Sequence, residues 1–312
     1  MNKKIEYDTS KQFNRVITHV KSDKEGPIVI AMSGLHGNEP AGVIALEKFG
    51  KQLQKINFKG EFVGIAGHLK ALSLNKRYIN RDLNRIWHME NVEKIRAKSI
   101  EEITCPEEKE QKEIIDVLDK ILLDKSRKAI FFDLHTTSAQ GAPFTLIANE
   151  ADSRELVANL HVPNILGLAK KLKGTFIYYV YSLGHMIIAY EAGQHEAFDS
   201  IDNSSAFLWI MMSNLGLIDP EEAHIAKWQD ILAKSSYNLP KYLTIHYHHH
   251  IEERDKFTML PGYRTFQEVE EGEILAKDIN GPIRAPLSGR ILFPLYQGQG
   301  NDGFFIVKTA KQ

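Results

Sequence analysis

The sequence predicts an α/β fold, a mainly parallel mixed sheet flanked by helices, with a small C-terminal β domain. Three observations carry that expectation. Compact apolar runs, PIVIAM at 27–32 and KAIFFD at 128–133, have the composition of strands covered on both faces. Segments with helical spacing separate such runs, an alternation that favours parallel strands with helices packed on either side. Near Pro240 the character changes to short β-like stretches interrupted by glycine and proline.

The run at 27–32 is followed by a helix that Pro40 can open, because its missing amide hydrogen would have no helical partner in a first turn. Val43, Ile44, Leu46 and Phe49 give that helix an apolar face. Thr104 with Glu107 has the form of a capping box before Ile114, Ile115, Leu118, Ile121 and Leu122, which repeat at helical spacing. TFIYYV at 175–180 and HMIIAYE at 185–191 are rich in β-branched and aromatic residues and are expected as strands. AFLWIMMSNLGLI at 206–218 reads as a buried or half-buried helix, and Asp219, Pro220 and Glu222 signal the start of another. PGYRTF, the glycine- and proline-punctuated stretch at 270–300 and the final FFIV then suggest strands without a helix. The expected division is an α/β hydrolytic domain at 1–239 and a small all-β domain at 240–312. Within the latter, HYHHH at 246–250 reads as an alternating or edge strand whose histidines are mainly structural.

Composition excludes several function classes. The formal net charge is -1, from 39 basic and 40 acidic residues, so no global field draws the chain to nucleic acid or an anionic membrane. No stretch approaches the roughly 18 uninterrupted apolar residues of a membrane span. The single cysteine, Cys105, leaves no internal disulfide or CxxC metal site. The first residues lack the apolar core of a signal peptide, and a cytoplasmic location is the expectation from these absences. A homo-oligomer is compatible with all of this.

Two segments carry the chemistry. GLHGNEP at 34–40 and FDLHTT at 132–137 supply His36, Glu39 and His135, each just past a strand end, where ligands of open α/β sheets bind. Two histidines and one carboxylate form a ligand complement of catalytic zinc, with a further position open to water or substrate. One Zn2+ per chain is therefore expected. Gly34 and Gly37 permit a tight path, and Asn38 can begin the following helix. Asp133 stands where a carboxylate could orient the far nitrogen of His135.

The segment LNKRYINRDLNRIWH at 74–88 is polar beyond what an ordinary helix face needs. Arg77 could stabilise negative charge developing on a carbonyl oxygen. Asn84 and Arg85 form a candidate clamp for a substrate carboxylate. Arg81 and Asp82 read as a structural ion pair or surface residues. Glu191, at the end of an apolar run, is not needed as a ligand and could act as the general acid/base. His185 and His195 lie near it but are not required for the ligand set.

GLHGNEP, RYINRDLNR, DLHTT and YEAGQ resemble the corresponding elements of the succinylglutamate desuccinylase and aspartoacylase family, which is related to the zinc carboxypeptidases. The resemblance extends through PGYRTF and PLSGRILFP. It implies a zinc carboxypeptidase-like fold in which His36, Glu39 and His135 bind zinc and Arg77 assists the carbonyl. It further implies that Asn84 and Arg85 contact a carboxylate and that Glu191 is the general acid/base. Two departures limit what carries over. His68 stands where members commonly have asparagine, and the stretch 180–191 has no arginine of the kind that contacts the side-chain carboxylate in aspartoacylase. A preference for N-acetylaspartate therefore does not follow.

The expected reaction is zinc-dependent hydrolysis of an amide in a small N-acyl amino acid or related carboxylated amide. A zinc carboxypeptidase acting on peptides is the nearest alternative, and a noncatalytic metal or small-acid binding protein is a reading from another class. A binding role alone would have no need of Glu191.

Overall fold

The structure, a computed structural model, describes residues 4–123, 129–148, 150–168 and 171–310. Strands β1 (Val16–Lys21) and β2 (Ile28–Ser33) lead into α1 (Pro40–Leu53), followed by β3 (Glu61–Ala66), the short α2 (Leu69–Ser73), α3 (Met89–Arg96) and α4 (Pro106–Ile121). Next come β4 (Ala129–Thr137), β5 (Phe144–Ile147), α5 (Glu150–Leu156), β6 (Asn164–Leu166), α6 (Phe176–Ser182), β7 (Met186–Gln194), α7 (Asp199–Asn214) and α8 (Ile225–Ser235). The C-terminal part holds β8 (Tyr242–His250), β9 (Thr258–Met259), β10 (Glu268–Val269), β11 (Ile274–Asp278), β12 (Gly281–Arg284), β13 (Gly289–Leu292) and β14 (Asp302–Thr309).

These strands form a mixed sheet of eleven in the order β1-β3-β2-β4-β7-β5-β6-β8-β14-β13-β10 and a separate antiparallel sheet β12-β11-β9. The middle of the large sheet, β3-β2-β4-β7, is parallel throughout. That explains the continuous apolar runs, since both faces are covered. On one face Ile30, Met32, Phe131 and Ile187 share a core with Trp87, Ile114, Leu118 and Phe176. On the other, Val29, Phe132, Ile188 and Tyr190 pack with Leu46, Phe49, Phe207 and Trp209. The rings interlock, with Phe132 edge-on to Phe207 at 5.2 Å and Phe49 edge-on to Trp209 at 4.6 Å. Among the described residues no helix is long and apolar enough to cross a membrane.

The parallel strands at 27–32 and 128–133 appear, Lys128 itself lying outside the described residues, but the second continues to Thr137, so His135 lies within β4 and not past its end, because the strand goes on pairing with β7. AFLWIMM lies in α7 and is buried. TFIYYV is a helix, not a strand. Thr175 caps it, its hydroxyl accepting from the Tyr178 amide at 3.3 Å, and Phe176 and Tyr179 both pack on Trp87, at 5.1 and 5.4 Å. A cap and helical i,i+3 packing outweigh the intrinsic β preference of these side chains. Thr104 is not a cap either: Cys105 occupies that position, and Glu107 turns inward to accept from the Ile79 and Asn80 amides, each at 2.9 Å. Asp219 accepts from the Glu221 amide at 2.9 Å in a turn, and α8 begins only after His224.

His68 is fully buried, with Nε2 at 3.1 Å from Glu107 and Nδ1 at 3.2 Å from Glu110. Glu110 also pairs with Arg15 and accepts from the Lys70 amide at 2.9 Å, tying α4 to the start of α2. A second acid there suits the first amides of a helix. Burial raises the Glu110 pKa, but the His68 contact, the Arg15 charge and the Lys70 amide more than offset it and hold it at about 2 instead of about 4.5. A carboxyl depressed in this way stabilises the fold fully above pH 4.5 and loses that contribution as pH falls toward 2. Glu110→Gln is expected to be about 3 kcal/mol less stable at neutral pH in urea unfolding, with the gap to wild type closing as pH is lowered through that window.

Candidate active site

The loop after β2 turns back on itself at Gly34, whose φ of +71° suits glycine. Gly37 packs so closely on the neighbouring chain that an added Cβ would lie 2.0 Å from the Ala71 carbonyl carbon. Its amide donates to the Arg77 carbonyl at 3.2 Å, joining the loop to the polar segment that carries Arg77. Glu39, not Asn38, occupies the cap position of α1, and Asn38 Nδ2 donates to Gln297 Oε1 at 2.8 Å. Glu39 therefore reaches inward from the positive end of a helix.

Glu39 gathers the two histidines. Its Oε1 lies 2.8 Å from His36 Nδ1, and its Oε2 lies 3.0 Å from His135 Nδ1 and accepts from the Thr136 amide at 2.9 Å. All three side chains are buried, and one donor atom from each lies within 4.8 Å of the others. Burial opposes a charge on Glu39, yet His36 and His135 hold its carboxyl well below the usual range. Burial likewise pushes His135 down, but Asp133 and Glu39 more than offset it and its pKa is raised well above that of free imidazole. The arrangement is a compact donor set of the kind that takes a divalent cation in place of a proton.

Both far imidazole nitrogens have carboxylate neighbours. Asp133 Oδ1 is 3.1 Å from His135 Nε2, close enough for an ion pair although not aligned as a hydrogen bond. Asp82 Oδ1 is 3.0 Å from His36 Nε2, and its Oδ2 accepts from Arg77 Nη2 at 2.9 Å. Asp82 is thus part of the site and not a surface residue. Burial raises its pKa, but Arg77 and His36 bring it well below the ordinary value. Asp82 Oδ1 also accepts from the Asn84 amide at 2.8 Å. An acid two residues before Asn84 is the sequence signature of such a local cap, and that signal could have identified it.

Glu191 is brought in by register. β4 and β7 run parallel with His135 opposite Glu191. Asp133, His135 and Glu191 fall on one face by the two-residue period of strands. Glu191 is buried and its Oε2 has no hydrogen-bond partner among the described residues. Burial, with the nearby Glu39 and Asp133 charges, raises its pKa well above the usual carboxyl value, against the opposing pull of His135.

Arg77 lies 3.7 Å from Glu39 Oε1 through Nη1. Asn84 faces the same cavity, but its Oδ1 accepts from the Phe176 amide at 2.8 Å and its Nδ2 lies 3.4 Å from His135 Nε2. Arg85 also lines the cavity, and its Nη2 donates to Asp302 Oδ2 at 2.7 Å. His195 bridges Thr136 Oγ1 at 2.7 Å and Gln297 Oε1 at 3.1 Å, while His185 packs on Phe131. The cavity, about 120 Å³, is lined from the C-terminal part of the chain by Phe293, Leu295, Gln297, Asn301, Asp302 and Phe305. The sequence pattern did not single out these covering residues, because they follow no catalytic motif.

Residues 25–208 match the family described as the succinylglutamate desuccinylase/aspartoacylase catalytic domain. The chain is 32% identical over 125 residues to a probable aspartoacylase from Nostoc and 28% identical over 141 residues to one from Prochlorococcus marinus. These alignments cover 39% and 45% of this chain and 39% and 43% of the relatives, so the chain matches less than half the length of either. Among solved structures, a succinylglutamate desuccinylase/aspartoacylase from Rhodobacter sphaeroides superposes with a TM-score of 0.65 at 16% identity, over 94% of this chain and 88% of that one. The ectoine utilization protein EutE from Ruegeria pomeroyi gives 0.65 at 18% identity, over 93% and 88%.

The Gly37 contact makes a direct prediction. Gly37→Ala forces its Cβ into the backbone of Ala71, so the variant is expected to lose about 3 kcal/mol or more in equilibrium unfolding, beyond the typical cost of a glycine substitution.

Proposed function

This chain belongs to the succinylglutamate desuccinylase/aspartoacylase family, and on that premise we propose that it hydrolyses the amide bond of a small N-acyl amino acid or related carboxylated amide in a zinc-dependent reaction. The observation that carries the reading is the pairing of Glu191, buried with an oxygen left free, beside the His36–Glu39–His135 donor set. In this reading His36, Glu39 and His135 hold one zinc ion. Two buried imidazoles and a carboxylate suit zinc, and Asp82 and Asp133 are placed to orient the imidazoles. Zinc, when bound, supplies Lewis-acid polarisation and makes water a better nucleophile near neutral pH.

The chain's own groups account for the rest. Glu191 takes a proton from the attacking water and returns one to the leaving amine, a role that suits a carboxyl whose pKa is raised. Arg77, positioned by Asp82, donates to the oxygen on which negative charge develops. Arg85 and Asn84 are the proposed anchors for the substrate carboxylate, in which case the anion competes with Asp302 for the Arg85 guanidinium. Leu146, Leu168, Leu172, Ile177, Phe293 and Phe305 line the same cavity, with Arg77 and Arg85 its only basic residues apart from histidines among those described. That lining favours an apolar acyl or amino-acid group over a second carboxylate.

Residues 240–312 act in the same reading as the cover of the 1–239 hydrolytic unit, restricting the site to small substrates. A cytoplasmic enzyme without nucleic-acid or membrane partners, alone or as a homo-oligomer, accords with the near-neutral charge and cysteine usage.

Release of free amine from a panel of N-acyl amino acids and short peptides tests the reading. Zinc-restored wild type is expected to turn over N-acyl amino acids with apolar groups, and Glu191→Gln to fall by at least about a hundredfold in kcat. Preferential release of C-terminal residues from peptides would instead establish the carboxypeptidase alternative, and zinc binding with no turnover the binding-protein one. The raised pKa of His135 makes a second prediction, because the proton it retains must leave before a metal binds. Zinc affinity, measured by competition with a chromophoric chelator, is expected to fall, by up to about tenfold per pH unit, as pH is lowered through the His135 titration. A flat profile would show that no such proton is displaced.

A further inference from the structure

A second group of metal-ligand side chains lies outside the central donor set, on the histidine-rich strand. β8 alternates, with His246, His248 and His250 exposed on one face and Tyr247 and His249 turned to the other, where His249 stacks on Phe304 at 5.0 Å. β14 runs antiparallel beside it, with Asp302 opposite His250 and Phe305 opposite His248. One donor atom from each of His248, His250 and Asp302 lies within 4.8 Å of the other two.

We propose that His248, His250 and Asp302 form a second metal site, one that takes a first-row transition ion of the zinc, nickel or copper type. Two imidazoles and a carboxylate are a donor set such ions accept, and imidazole selects them over magnesium or calcium. Histidines two apart on a strand point the same way, and the cross-strand pair adds the carboxylate from the neighbouring chain segment. The set is partly organised already. The His248 ring stacks on Phe305 at 4.2 Å and 7°, its Nε2 lies 2.8 Å from Asp302 Oδ1, and the His250 ring meets it edge-on at 6.0 Å. A tetrahedral ion needs its donors about 3.4 Å apart, an adjustment that exposed imidazoles make by side-chain rotation. His246 is on the same face, but its Nε2 lies 3.2 Å from Thr244 Oγ1 and it is not in the donor group.

The charge on Asp302 supports the assignment. Burial raises its pKa, but the His248 contact and the Arg85 charge more than offset this and bring it to about 2, so it is anionic at any working pH. Asp302 uses one oxygen for each neighbour, Oδ1 toward His248 and Oδ2 for Arg85. An ion on the Oδ1 side can therefore bind while the Arg85 contact is kept. It would clip β8 to the first residue of β14, immediately after Gly300 and Asn301, which cover the catalytic cavity.

The test counts bound ions and needs no substrate, so it is read separately from the proposed hydrolysis. The metal-depleted full-length protein is dialysed to equilibrium against buffered Zn2+, and zinc per chain is measured for wild type, for His248→Ala/His250→Ala and for His248→Gln/His250→Gln. Wild type is expected to hold two equivalents and both double variants one, with circular dichroism confirming that each is folded. Zinc per chain that is the same in wild type and in both folded double variants would overturn the proposal, whatever the central donor set holds.

Discussion

The Glu39 carboxylate is the interaction on which the rest of the site depends. A buried anion is costly unless it is paired and hydrogen-bonded. Glu39 meets that requirement by drawing together groups that are distant in sequence: His36 from its own loop, His135 and the Thr136 amide from β4, and Arg77 from the segment before α3. Removing it would leave two buried imidazoles and a guanidinium facing one another. The fold's parallel centre places the C-terminal ends of β2 and β4 side by side, which brings these groups within reach.

Around that carboxylate the acids are arranged in tiers. Asp82 links His36 to Arg77, and Asp133 stands behind His135. Farther out, Glu107 holds the Ile79 and Asn80 amides while touching His68, which in turn meets Glu110 and, through it, Arg15. The polar segment 77–85 is thus fixed from both sides by buried carboxylates, which limits the freedom of Arg77. His68 is the connecting piece of this outer tier.

The C-terminal strands have a different relation to the site. β8, β14, β13 and β10 continue the large sheet, and the segment that enters β14 lies over the cavity. Gln297 touches both Asn38 and His195, so the cover is tied to the β2 loop and to the end of β7 within one chain. Asp302 occupies Arg85 from the same cover. One short segment therefore both lines the cavity and engages the Arg85 guanidinium.

Much of this was legible in the sequence, because the determinants are local. The apolar runs of β2 and β4 and the spacing of HxxE in a glycine turn depend on neighbours a few residues away, and those periodicities survive in the fold. The placement of His36 and Glu39 just past the end of β2 followed from the same local signals, whereas His135 lies within β4, whose pairing with β7 carries the strand on to Thr137. TFIYYV did not follow, because its helical state comes from a Thr175 cap and packing on Trp87, and Glu107 left its apparent capping role for a pair of distant amides. The sequence by itself determined which chemical groups this protein has and which strands carry them. Only the tertiary structure decided that Asp82 supports His36, that Glu191 stands opposite His135 and that Asp302 reaches Arg85, since those contacts arise from strand register and from chain segments meeting across long separations.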